Sequence, residues 1–238
     1  MFLSQLFLDT RSQKVHHDLA NRDAMHRTVM SFFPRYPGKN GNAREDLGVL
    51  FRVDENREGR VVLLIQSAIK PDWMNIVPGY VTEPPACKEL DGLVNRITNG
   101  TIGRFRILAN PIVKHGKTVP AELGGGKTVP ITDEIGQANW LARKGKDIGI
   151  SIRSRDIDVD GTIATLRDLV VTQSGHVHVE RKTPNRGTSE RNVISFLATL
   201  FEGMATVTDA ARFITAIKKG IGTGKAFGLG MISFVPVH

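Results

Sequence analysis

Cysteine is nearly absent from the 238-residue chain: Cys87 stands alone, so no internal disulfide can form, and a reducing cytoplasm is the natural setting. Long apolar runs are absent too. Nothing approaches the 18 consecutive apolar residues of a transmembrane helix, and a membrane partner is not expected. The opening Met1–Thr10 is apolar but lacks a basic flank and runs at once into polar residues, so it reads as a strand rather than a signal peptide. Acidic residues are in deficit, 24 against 32 basic, giving a net charge of +8. That excess favours polyanionic partners, through phosphate contacts and counterion release. What is present is a 40% apolar fraction, enough for one large core or two small ones.

Residues Phe2–Leu8 have the character of a buried strand. After a polar stretch from Asp9 to Asp18, Asn21 is placed to cap a helix whose Met25, Val29, Phe32 and Phe33 share one face, and Pro34 stops it. Leu47–Val53 and Arg60–Ser67 follow as strands joined by a turn, and Asp72–Val77 as a short helix. The turn-rich stretch 78–102 is expected to link two domains, spanning residues 1–90 and 103–238. In the second, Gly103–Val113 is an expected strand and Lys117–Pro130, with KTVP twice around a glycine triplet, an expected loop. Thr132 and Thr208 are expected to cap helices, the second closed by Gly220, with strands at Ile148–Ile152, Thr165–Thr172, His176–Lys182, Asn192–Glu202 and Leu229–Pro236. This order fits an α+β fold of two tandem ferredoxin-like (RRM-like, βαββαβ) domains.

The most informative stretch is Gly220–Gly230, GIGTGKAFGLG, between a helix and a strand. Missing Cβ atoms allow positive φ and close backbone approach, and successive N–H groups in such a segment form anion-binding concavities. It is no mononucleotide loop: Gly224-Lys225 is followed by Ala226 and has Lys219 where a glycine is required, and Gly126-Lys127-Thr128 and Gly116-Lys117-Thr118 fail upstream at Ala121 and Pro111. Nor is it a dinucleotide fingerprint, which follows a strand and opens a helix. A tight helix-to-strand connection with no ligand remains the plain alternative.

Phe201-Glu202-Gly203, the capped helix, Lys218 to Gly230 and the apolar last strand resemble the closing motif of the repeat-associated RNA-binding proteins of CRISPR systems. Met1-Phe2-Leu3-Ser4, His17-Asp18-Leu19-Ala20-Asn21 and Met25-His26-Arg27-Thr28 resemble the opening of one branch, the CasE family of CRISPR-RNA endoribonucleases of the type I-E Cascade complex. Gln66-Ser67, Pro71-Asp72-Trp73 and Arg104 to Pro111 are similar to further landmarks of that family, in order. The resemblance implies two ferredoxin-like domains, a prokaryotic cytoplasmic setting and no cofactor. It also implies cleavage of CRISPR repeat RNA at the base of a stem-loop, giving a 2′,3′-cyclic phosphate and a 5′-hydroxyl. The protein would keep the product hairpin and join other Cascade subunits.

His26 is then the catalytic candidate, since an imidazole can take or deliver a proton near neutral pH; a lone helical histidine is otherwise an ordinary surface or core residue. Where the family often has tyrosine three residues before this histidine the chain has Asp23, and where some members have lysine five residues after it the chain has Ser31. The second proton-transfer group is therefore unassigned. Arg22, Arg27 and Lys225 are candidates for the cation on the scissile phosphate. Gly222, Gly224, Gly228, Lys218 and Lys219, with Arg153, Arg155, Arg181, Lys182 and Arg186, are expected to hold RNA, against the alternative of a solvated basic face. No metal site is expected. Asp156–Gly161 imitates a calcium loop but has Arg167 at its twelfth position, and His176 and His178 share a strand face without a third ligand in view. His16 and His17 read as solvated, and Trp73 and Trp140 as core or interface anchors.

Overall fold

The computed structural model describes residues 1–35, 42–114, 127–160, 162–185 and 188–237, and within these no side chain of 159, 164 or 181–192. It is a mixed α+β molecule built on antiparallel sheets.

The first sheet runs β2-β3-β1-β4, from β1 (Phe2–Phe7), β2 (Leu50–Glu55), β3 (Val61–Ser67) and β4 (Ala86–Glu89). Central β3 is apolar on both faces, and Leu6 pairs with Leu63 and Phe51 with Ile65. The β2–β3 turn falls where expected: Asn56 Oδ1 accepts from the amides of Glu58 and Arg60. Helices α1 (Gln13–Ala20) and α2 (Arg22–Met30) cover one face, burying Val15, Met25 and Val29 with Phe32 and Phe33 against Leu6, Phe51, Leu63 and Ile65, and the short α3 (Ala43–Asp46) leads into β2. Each such side chain contributes about 1.5–3 kcal/mol of burial.

Two expectations need correction here. The polar stretch Asp9–Asp18 contains most of α1. That helix hides its period because its inward face is partly polar: fully buried Asp18 accepts from Lys14 Nζ (2.5 Å), Thr28 Oγ1 (2.7 Å) and Tyr80 Oη (2.9 Å). Within the stretch expected as linker, Ala86–Glu89 forms β4, the edge strand beside β1, followed by the short α4 (Asp91–Val94).

The second sheet runs β11-β12-β5-β13, from β5 (Ile102–Ala109), the long hairpin β11 (Leu169–Asn185) and β12 (Thr188–Val207), and β13 (Ile232–Pro236). Short β8 (Ile150–Ile152) pairs with the end of β12. Leaving short β8 aside, both sheets therefore share one order, with the first and third of four strands at the centre. Helices α5 (Glu134–Ile148) and α6 (Ala210–Lys219) cover one face, where Trp140, Leu141, Phe213 and Ile217 meet Phe105, Ile107, Phe201 and Ile232. The caps are Asp133 and Asp209, each one residue beyond the expected threonine. A carboxylate accepts from the Gly136 and Arg212 amides, at 2.6 and 3.0 Å. Two small hairpins are added, β6 (Ile112–Lys114) with β7 (Thr128–Pro130), and β9 (Ser154–Val159) with β10 (Thr162–Arg167). Thr128–Pro130 was expected as loop; residues 117–126 of that expectation lie outside the described residues.

Buried side chains join the halves. Arg52 on β2, 2% exposed, holds Asp54 through Nε and Nη2. It also donates to the carbonyls of Arg106 (3.2 Å) and Met231 (3.4 Å) and to Ser233 Oγ (3.0 Å). Asp54 meets Arg106 as well.

Candidate functional site

The glycine-rich segment crosses the second sheet's other face, where Phe227 and Leu229 cover Val177, Val179 and Ala198. Close approach dictates its composition. A Cβ on Gly230 would lie 2.1 Å from the Ile221 carbonyl oxygen, and one on Gly228 would lie 3.0 Å from the Phe51 ring of the first sheet. The segment is pinned by Ile221 N–H to Gly230 O (2.9 Å), Gly230 N–H to Leu108 O (2.6 Å) and Asn110 Nδ2 to Thr223 Oγ1 (3.2 Å). Between the pins, the N–H groups of Gly222, Thr223, Gly224, Lys225 and Ala226 donate to no acceptor among the described residues. Positive φ at Gly222 and Gly224 gives this run the form of an anion-binding concavity, with Lys225 half-buried in it.

Helix α2 lies against the Lys225–Phe227 turn and against β11, and β2 lies against the same turn. Strand β11 and the Lys225–Phe227 turn, distant from it in sequence, thus both pack on α2, the helix that carries half-buried His26. Its neighbour Met25 is fully buried, as a residue at the flank of the apolar stripe requires. Asn21 fixes the start of the helix. Its Oδ1 accepts from the Asp23 amide at 3.0 Å and the Glu180 amide at 3.3 Å, while its Nδ2 donates to the Glu180 carbonyl at 3.5 Å.

The cations around α2 differ in environment. Arg27 is exposed and ion-paired with the buried Asp23. Arg22 is turned inward, its Nη1 buried, and burial lowers its pKa against the opposing effect of nearby Tyr80. Burial first, then the Asp18 carboxylate, pushes the Tyr80 phenol well above its ordinary value. Ser31 is spent on the Thr28 carbonyl, at 2.7 Å.

The remaining residues singled out from the sequence are scattered. Lys218 and Lys219 are exposed at the end of α6, with Lys218 acting on Asp91 near the amino terminus. Arg153 and Arg155 are exposed beside and on β9. Arg181 and Lys182 continue β11 past Glu180, with side chains outside the described set, and Arg186 lies outside it altogether. His176 and His178 stack on the exposed face of β11, and among the described residues no group of three or more His, Cys, Asp or Glu could hold a metal ion. Trp140 is core, stacked on Phe201, and Trp73 packs edge-on against Phe32. Sequence reasoning found Asn21 as a cap but missed its reach to β11, which leaves no local signature.

A family model described as CRISPR associated protein matches residues 1–236. The CRISPR-associated endoribonuclease Cse3 of Thermus thermophilus is 29% identical over 99% of this chain and 100% of its own length. The CRISPR system Cascade subunit CasE of Escherichia coli K12 is 28% identical over 90% of this chain and 91% of its own. A solved structure of CRISPR endoribonuclease Cse3 bound to a 19-nucleotide RNA superposes with a TM-score of 0.73 at 26% identity, covering 99% of both chains.

Proposed function

This chain belongs to the CRISPR-associated protein family, in its Cse3 and CasE branch, and we propose that it is an endoribonuclease that cuts CRISPR repeat RNA at the base of a stem-loop. One observation carries the reading: His26 is half-buried on a helix that abuts the Lys225–Phe227 turn, the end of a run of five amides that donate to no acceptor among the described residues. A backbone phosphate seated on those amides lies next to an imidazole able to move a proton.

The chemistry is attack by the ribose 2′-oxygen on its own 3′-phosphate, expelling the 5′-oxygen of the next nucleotide. The products are a 2′,3′-cyclic phosphate and a 5′-hydroxyl. The nucleophile is internal to the RNA, so the step needs only proton transfer and stabilisation of charge on the phosphorane-like transition state, and no metal enters. His26 handles one proton, worth about 10²–10⁴-fold. The amides of Gly222–Ala226 and Lys225 face the developing charge. With Asp23 paired to Arg27 and Ser31 spent on Thr28, positioning of the strand carries much of the rate, and turnover is slow.

The β11–β12 hairpin with Arg181, Lys182 and Arg186 is the proposed grip on the stem, Arg153 and Arg155 an outer contact, and the product stays bound as part of a Cascade assembly. Each half reads as a ferredoxin-like domain, residues 1–90 and 103–238, a division supported by the shared strand order. The same commitments of Asp23 and Ser31 favour a second reading, a hairpin-binding scaffold without cutting chemistry. Incubating a CRISPR repeat stem-loop with the protein in EDTA separates the two: the enzyme yields a cyclic phosphate end, abolished by one 2′-deoxynucleotide at the cut, whereas the scaffold leaves the RNA whole.

A further inference from the structure

Asn21 stands at the junction of three elements. Its amide donates to His17 O at 3.0 Å, closing α1, and its carbonyl accepts from Met25 N–H at 3.1 Å, opening α2. Its side chain caps α2 and also meets the N–H and C=O of Glu180 on strand β11, whose outer side has no partner strand because β11 is an edge of its sheet. The carboxamide meets them as a neighbouring strand's peptide group would, one oxygen accepting and one nitrogen donating. Capping alone does not require asparagine, since serine and aspartate cap about equally well. The reach to Glu180 does. Serine is too short, and aspartate offers no donor to the carbonyl.

We infer that Asn21 is a positioning residue that sets the distance between His26 and RNA held on the β11–β12 hairpin. His26 lies five positions after Asn21 in the helix that Asn21 caps, and β11 continues from Glu180 directly into Arg181 and Lys182. A helix end released from the strand would let His26 drift from a phosphate fixed by the other half, and a displacement of about 1 Å costs roughly 10²-fold in rate. The inference rests on the assignment of His26 as the proton-transfer group.

The test uses the full chain carrying Asn21→Ser, which keeps the cap and loses the latch, Asn21→Asp, which keeps the cap and one acceptor, and His26→Ala. Single-turnover cleavage of a labelled repeat stem-loop, affinity for its uncleavable 2′-deoxy form and hydrogen exchange at the Glu180 amide are read together. Expected for Asn21→Ser are a 10- to 100-fold slower cut, affinity within twofold of wild type and faster exchange at Glu180, with Asn21→Asp intermediate in rate. Wild-type cleavage by folded Asn21→Ser, beside a dead His26→Ala, overturns the positioning role alone. Wild-type cleavage by His26→Ala overturns the proposed site and this inference with it. Loss of rate matched by equal loss of affinity would assign Asn21 to binding and also overturn it.

Discussion

The side-chain amide of Gln66 donates to the main-chain carbonyl of Ile217 at 2.8 Å, tying a central strand of the first sheet to the last helix of the second. Gln66 is 2% exposed. With Arg52 it makes the junction polar and directional, so the two halves meet in one register rather than sliding on an apolar contact.

Arg52→Ala leaves Asp54 only its 3.5 Å pair with Arg106 and removes the guanidinium from the carbonyls of Arg106 and Met231. Removing one partner of a buried pair costs about 3–5 kcal/mol. Urea denaturation is expected to show a loss of that order, and Arg52→Lys to recover little of it because an ammonium cannot copy the fork. A loss below 1 kcal/mol would show that the junction is not held this way.

His26→Ala is expected to slow single-turnover cleavage by about 10²–10⁴-fold and to leave hairpin affinity nearly unchanged, since the helix and its cap persist. Electrophoretic mobility shift and product end-group analysis read the two quantities separately.

The glycines of the closing segment separate into two kinds. Gly230→Ala drives a methyl group into the Ile221 carbonyl at positive φ, and the thermal midpoint should fall sharply, with strain of at least about 2 kcal/mol. Gly222→Ala meets only the Trp140 ring at 3.7 Å, so the cost is the left-handed backbone, about 1–2 kcal/mol. Calorimetry should rank them in that order, with Gly222→Ala the one that remains folded and loses RNA affinity.

Tyr80 supplies a pH dependence. Its phenol has an ordinary pKa of 10.0, and burial beside Asp18 raises it in the folded state. The folded protein therefore holds this proton where the unfolded chain releases it, so stability is lost as pH rises above 10. Denaturation series at successive alkaline pH values should show that decline, and Tyr80→Phe should flatten it while costing about 1–3 kcal/mol at neutral pH through the lost bond to Asp18.

Much of the frame was legible in the sequence because it is local. Met25 and Val29 gave the period of α2, although the helix ends at Met30, before Phe32, Phe33 and the expected stop at Pro34, and the glycine spacing marked the last helix-to-strand connection. Helix α1 was hidden because its inward face carries Lys14 and Asp18, whose polarity is neutralised only by Thr28 and Tyr80 from elsewhere in the chain. Strand β4 was hidden among prolines, its partner β1 more than 80 residues away. Of the candidate site, His26 and the glycine segment were found by motif. Their meeting, and the inward turn of Arg22, depend on tertiary packing that no spacing encodes.

An edge strand of seventeen residues is also a template on which a second molecule could add a strand of its own. By occupying the Glu180 amide and carbonyl within that run, Asn21 breaks the exposed ladder into shorter stretches and so guards the protein against self-association through this margin.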